Sequence, residues 1–191
     1  HNDSGDGPFI FAFAPSGKHL GTWRVKGASN TDWEDMATIK DPAGNCYLYI
    51  GEIGDNERKR TGRAVYRVKE PNVSAETAGS SRKDPIETEA VEVVRFSYPD
   101  SPQNAEALLV HPVSGDIYVI TKRFSGAAEI FRIKPEFGAT QTQKAEKIAE
   151  IMLPAVPQGL STGGDISPDG KKVVICDYYA AYELALPERS A

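Results

Sequence analysis

Short runs in which apolar and polar residues alternate follow one another along this chain, divided by Gly, Pro, Asn and Asp. That period of two, with Val, Ile, Tyr and Phe at the apolar positions, predicts β-strands. A helix fits only around Gln143–Glu150, where a strand fits about as well. Ser74–Pro85 (SAETAGSSRKDP) reads as a polar loop, and Glu57–Arg63 (ERKRTGR) as an exposed basic hairpin tip.

Four kinds of strand recur in a fixed order. Kind A runs into a glycine turn: MATIKDPAG from Met36, ALLVHPVSG from Ala107 and GDISPDG from Gly164. Kind B leaves that turn: YLYIG from Tyr47, IYVIT from Ile117 and VVICD from Val173. Kind C is FIFAF, AVYRV, EIFRI and YELAL, starting at Phe9, Ala64, Glu129 and Tyr182. Kind D is HLGTWRV, AVEVVRF and EKIAEIML, from His19, Ala90 and Glu146. Four antiparallel strands repeated every 53 to 65 residues predict an all-β fold, a β-propeller of four-stranded blades. Residues 1–26 then supply strands C and D of one blade, 31–98 and 104–154 two full blades, and 159–187 strands A to C of another. That is about three blades, half of a six-bladed ring. An open sandwich of the same strands is the alternative. The edge of an unclosed ring predicts association with another copy or with further blades.

Composition changes this picture little. The 191 residues carry a net charge of −5, which disfavours a nucleic-acid or anionic membrane partner and favours cations or neutral ligands. No run is long and apolar enough to span a membrane. Cys46 and Cys176 lie in apolar runs and read as buried free thiols, with a pair of the two as the alternative.

The candidate chemistry lies where strand A begins, at one mouth of the central channel. The residues there are Asp32–Asp35 (DWED), Asn104–Ala107 (NAEA) and Thr162–Asp165 (TGGD). Counting nine residues back from Gly44 and Gly115 gives Asp35 and Glu106, which this count makes equivalent. Asp165 lies closer to its turn glycine. Asp35, Glu106 and Asp165 are therefore candidate metal ligands, and calcium suits an all-oxygen set. A solvated acidic mouth or paired acids for acid–base work fit the same residues. Trp33 and Asp32 read as rim or inter-blade residues, and Glu34 as pointing away from the side Asp35 takes. The loops after strand B bring Asp3, Glu52, Lys122, Arg123 and Asp177 to the same side as candidate ligand-binding residues. Asn, Asp and Gly in those loops also serve as ordinary turn residues. His1, His19 and His111 are scattered, and no H-E-x-x-H, C-x-x-C or P-loop occurs.

NDSGD, DWEDMA, YLYIGEIGDN, YPD…NAEALLV, GDIYVITK and TGGDISPDGKKVVI, in this order, resemble secreted, mostly bacterial β-propeller proteins. They are more distantly similar to phytase-like and esterase-like calcium propellers. That resemblance implies a secreted, extracellular or periplasmic setting and acids at the channel mouth, with calcium bridging substrate phosphates. Carried onto this chain it supports Glu106 and, less closely, Asp35; the dense basic run expected for a polyphosphate is absent, with only Lys122-Arg123 in its place. Three functions follow as expectations. One is a secreted or surface module binding a glycan, small molecule or protein, with calcium at the mouth. The others are a calcium-dependent phosphoesterase or esterase, and a structural protein that assembles with itself.

Overall fold

The computed structural model describes residues 1–186; Pro187, at the end of the last expected blade, lies outside the described residues. Sixteen strands are described, three of them two residues long. In chain order they are β1 (Phe9–Phe13), β2 (His19–Arg24), β3 (Trp33–Lys40), β4 (Cys46–Glu52), β5 (Arg63–Lys69), β6 (Ile86–Glu87), β7 (Glu92–Ser97) and β8 (Ala105–Val110). Then come β9 (Ile117–Arg123), β10 (Ala128–Ile133), β11 (Gln143–Lys144), β12 (Glu146–Ile151), β13 (Gly159–Leu160), β14 (Gly163–Ile166), β15 (Lys172–Cys176) and β16 (Ala181–Ala185). The longer strands stand where the alternation places them. The segment at Gln143–Glu150 is two strands, not a helix, and the only helical turn among the described residues is a 3-10 turn at Thr77–Gly79. No described helix is long and apolar enough to cross a membrane.

Consecutive strands pair antiparallel in four sheets. The first is β1–β2, the second β3–β4–β5–β7, the third β8–β9–β10–β12 and the fourth β14–β15–β16. This is the up-and-down order of propeller blades. The two-residue strands are additions: β6 pairs parallel with β2, β11 parallel with β7, and β13 extends the ladder at the end of β9.

Three apolar cores lie between successive sheets, because each strand buries one side of its alternation against each neighbour. Trp23, Val25, Ile50 and Tyr66 join the first and second sheets. Phe96, Tyr98, Leu108 and Phe131 join the second and third. Leu109, Ile120, Ile166 and Ile175 join the third and fourth. The cysteines are free and partly buried.

The inner strands β3, β8 and β14 pack on one another. Gly164 allows a close approach, since a Cβ there would lie 2.7 Å from the Val174 carbonyl oxygen and 3.0 Å from Leu109 Cδ2. Its amide is thereby brought to Asp35. One Asp35 oxygen accepts the amides of Leu108 (2.9 Å) and Gly164 (3.2 Å), and the other accepts Met36 N–H (2.8 Å). A single carboxylate thus ties together the inner strands of three sheets.

Candidate functional site

Bulges decide which acids meet. In β3, Trp33 faces Glu52 and Met36 faces Ile50, so Glu34 and Asp35 share one partner position. In β8, Ala105 faces Thr121 and Ala107 faces Ile120, so Glu106 is the extra residue. A bulge re-aims side chains at a strand end. Here it turns Glu34 and Glu106 toward each other, and the Glu106 charge acts on Glu34 more strongly than that of any other neighbour. Asp35 does not join them, because both its oxygens are held by backbone amides. The count from the turn glycines misleads by one residue. The turn closing β3 spans 41–45 and that closing β8 spans 111–116, so Asp35 stands five residues before the last paired residue of its strand and Glu106 four, and the two are not at the same ladder position.

Asp3, Asp32 and Glu34 place carboxylate oxygens within 4.8 Å of one another, and Glu106 borders them through Glu34. Burial, then the negative charges of Glu106, Asp3 and Asp32, push the Glu34 carboxyl up to about 9. Burial, then Asp3, raises Asp32 as well, against the pull of Arg60. Glu106 Oε1 accepts Lys122 Nζ (3.0 Å) and Asn104 Nδ2 (3.1 Å). Asn104 also donates to Asn56 Oδ1 at 3.3 Å. Gly54 makes room for the cluster, since a Cβ there would run into Glu34 Oε1 and Asp32 Oδ2.

A buried polar frame holds this mouth. Glu52 accepts the amides of Thr31 (2.8 Å) and Asp32 (3.1 Å) and pairs with Arg60. Asp55 pairs with Arg63 at 2.6 Å, both nearly buried. Burial alone would raise Asp55, but the amides of Lys59 and Arg60 and the Arg63 guanidinium more than offset it and hold its carboxyl low. Arg63 also donates to the carbonyls of Ile53, Arg60, Gly62 and Gln103. The basic tip expected at Glu57–Arg63 is therefore half wrong, as Arg60 and Arg63 turn inward. Asn104 Oδ1 accepts the Asp55 amide (2.6 Å) and links this frame to the third sheet.

The other candidates divide. Asp3 is exposed within the cluster. Glu52 is a buried support, and Lys122 lies over the Tyr178 ring at 5.1 Å while bonded to Glu106. Arg123 pairs with Glu129 (3.0 Å) rather than with the cluster. Asp177 closes its own turn through the amides of Tyr179 and Ala180 and the Tyr182 hydroxyl. Asp165 is exposed and accepts its neighbour's amide, Ile166 N–H at 2.8 Å. Trp33 is buried between the first two sheets, its Nε1 donating to Ser29 O at 2.8 Å. The sequence reading missed Glu34, Asn104 and the supports Arg60, Asp55 and Arg63. Gly159-Leu160-Ser161-Thr162-Gly163 has the G-x-S-x-G order. Ser161 is fully buried, its Oγ donates to Thr121 O (3.2 Å), and no strand-to-helix turn exposes it, so it is not a nucleophile elbow.

The donors at the mouth are carboxylate and amide oxygens, a hard set that fits calcium better than a soft transition metal. Gly54→Ala is expected to displace Glu34 and Asp32, so that a cation held by them would bind about tenfold more weakly, since ligand placement sets affinity. Calorimetric titration of the variant measures this, and circular dichroism should show an unchanged strand content.

No protein-family model and no curated protein matches the chain. Among solved structures it is similar to one described as "Structure of Dos1 propeller", at 9% identity and TM-score 0.32. The match covers 88% of this chain and 47% of that one, so this chain spans about half of its length. A likeness this loose adds nothing to the sheet order described above.

Proposed function

We propose that the chain is a β-propeller binding module in which the mouth carboxylates Asp3, Asp32, Glu34 and Glu106 hold one calcium ion. The observation that carries this reading is the close approach of the Asp3, Asp32 and Glu34 carboxylates, with the Lys122-paired Glu106 beside them, where burial and then the neighbouring negative charges raise the Glu34 carboxyl to about 9. A divalent cation relieves the repulsion and replaces the proton. A secreted or periplasmic setting suits such a site, because extracellular calcium modules work at about 0.1–1 mM metal. The bound ion and the exposed rim around it would receive a glycan, small-molecule or protein ligand. A phosphoesterase or esterase has less support. Lys122 is engaged by Glu106 and Arg123 by Glu129, which leaves neither free to hold a phosphate.

Thermal melting with calcium and with chelator tests this reading. At calcium one hundred-fold above Kd the wild type should gain about 2.7 kcal/mol, or roughly 5–10 °C in Tm. The metal-free protein should behave in the opposite sense to an ordinary carboxylate protein. Glu34 is raised in the fold, so the folded state binds the extra proton between about pH 4.5 and pH 9 and its contribution to stability falls as pH rises through that window. Glu34→Gln removes the ionisation. At pH 8 in chelator the variant should melt above wild type, and in calcium below it. A variant that keeps the full calcium gain would exclude Glu34 as a ligand.

A further inference from the structure

The outer strands of the first two sheets are each met by the start of the next sheet's outer strand. Ile86–Glu87 pair in parallel with Trp23–Arg24, and the amide of Thr88 then donates to Arg24 O at 3.1 Å. Gln143–Lys144 pair in parallel with Phe96–Ser97, and the amide of Ala145 then donates to Ser97 O at 2.9 Å. In both cases the third residue is small and buried. The chain then runs on as an outer strand, β7 or β12, antiparallel to β5 or β10. The device has one form: two paired residues, a small buried residue, then a strand.

The third and fourth sheets present the same arrangement with that segment unsupplied by the described residues. Ile151 faces the first residue of β10 as Phe96 faces the first residue of β5, which makes Ile151–Met152 the counterpart of Phe96–Ser97. Among the described residues no strand pairs with the outer edge of β12 or of β16. Between them lies an apolar groove of about 370 Å³ lined by Tyr118, Ile130, Ile148, Ile151, Leu184 and Leu186. Ile148, Met152 and Leu184 are 43%, 62% and 38% exposed, unlike Val94 and Phe96, which are buried on β7.

We propose that this margin is a β-augmentation site for an extended polypeptide segment. The segment pairs in parallel with Ile151–Met152, sets a small residue at the head of the groove, and continues antiparallel along β16 as the fourth strand of the fourth sheet. Main-chain hydrogen bonds to an open edge supply affinity, and alternate apolar side chains entering the groove supply selectivity. The two occupied edges earlier in the chain argue for this occupant over a small apolar ligand, because they show the same strand ends already paired in this way. The proposal is independent of any cation.

A labelled synthetic peptide with the sequence of residues 143–153 (QKAEKIAEIML) provides the test, added to the whole protein in chelator. Saturable binding is expected below about 1 mM, the weak end of measurable affinity. Ala145→Pro with Ile148→Pro in the peptide should weaken it at least tenfold, since proline cannot donate to a ladder. Leu184→Glu in the protein should weaken the unmodified peptide similarly; the proline peptide leaves the protein untouched and decides the matter if that variant misfolds. A self-associated protein that the peptide dissociates would also support the site, with a second copy as donor. Absence of binding at 1 mM, binding indifferent to both prolines, or binding that appears only after residues 187–191 are removed would overturn it.

Discussion

Arg63→Ala is expected to destabilise the protein by about 3–5 kcal/mol, the cost of leaving one member of a buried ion pair alone. Arg63 is 3% exposed and its partner Asp55 is 5% exposed, so water cannot take the place of the lost guanidinium. The carbonyls of Ile53 and Gln103 lose a donor as well. In a chain of this size the change corresponds to a fall of roughly 10 °C in Tm. Adding Asp55→Ala should recover part of the loss, because it removes the stranded charge, and a double-mutant cycle measures the coupling directly. The pH dependence has a defined sign. Asp55 is held below its ordinary value, so its contribution is present above the usual carboxylate pKa and is lost as pH falls through the lower folded value. The Arg63→Ala deficit should therefore shrink in acid.

Asp35→Ala should cost about 2–6 kcal/mol at pH 5, since the amides of Leu108 and Gly164 lose their acceptor at about 1–3 kcal/mol each. Its pH dependence runs the other way. Burial, against the pull of the three amides, pushes the Asp35 carboxyl up to about 6. The folded state thus holds a proton that the unfolded chain has lost between about pH 3.8 and pH 6, and the contribution of Asp35 declines as pH rises through that range. Denaturation midpoints of wild type and variant should lie further apart at pH 5 than at pH 8. The variant should also exchange the Leu108 and Gly164 amides faster, because those two bonds span separate sheets.

The contrast between strands and site follows from what each depends on. Alternation is local, so runs such as AVYRV and EIFRI mark β5 and β10 as strands whatever packs on them. The acid cluster depends on register. Whether Asp35 or Glu34 meets Glu106 turns on two bulges, which leave no mark in hydrophobic pattern. The fate of ERKRTGR was hidden for a different reason. Arg60 and Arg63 find Glu52 and Asp55 across a folded loop, eight residues away in each case, and a basic run next to solvent looks the same whether its partners fold back or not. Gly54 could have been recognised as more than a turn residue only by knowing that two carboxylates press against it. The short strands β6 and β11 carry no alternation at all, being two residues long, and are set by the edges they meet.

The mouth cluster is the centre of this reading, and one calorimetric titration addresses it. Calcium is added to the protein at pH 7 in two buffers of different ionisation enthalpy, and the difference in heat counts protons released. Metal binding to a protonated ligand set must expel protons. The expected result is one calcium per chain with about one proton released, the Glu34 proton, and loss of that release in Glu34→Gln. Heat absent at millimolar calcium, or binding with no proton released, would contradict it.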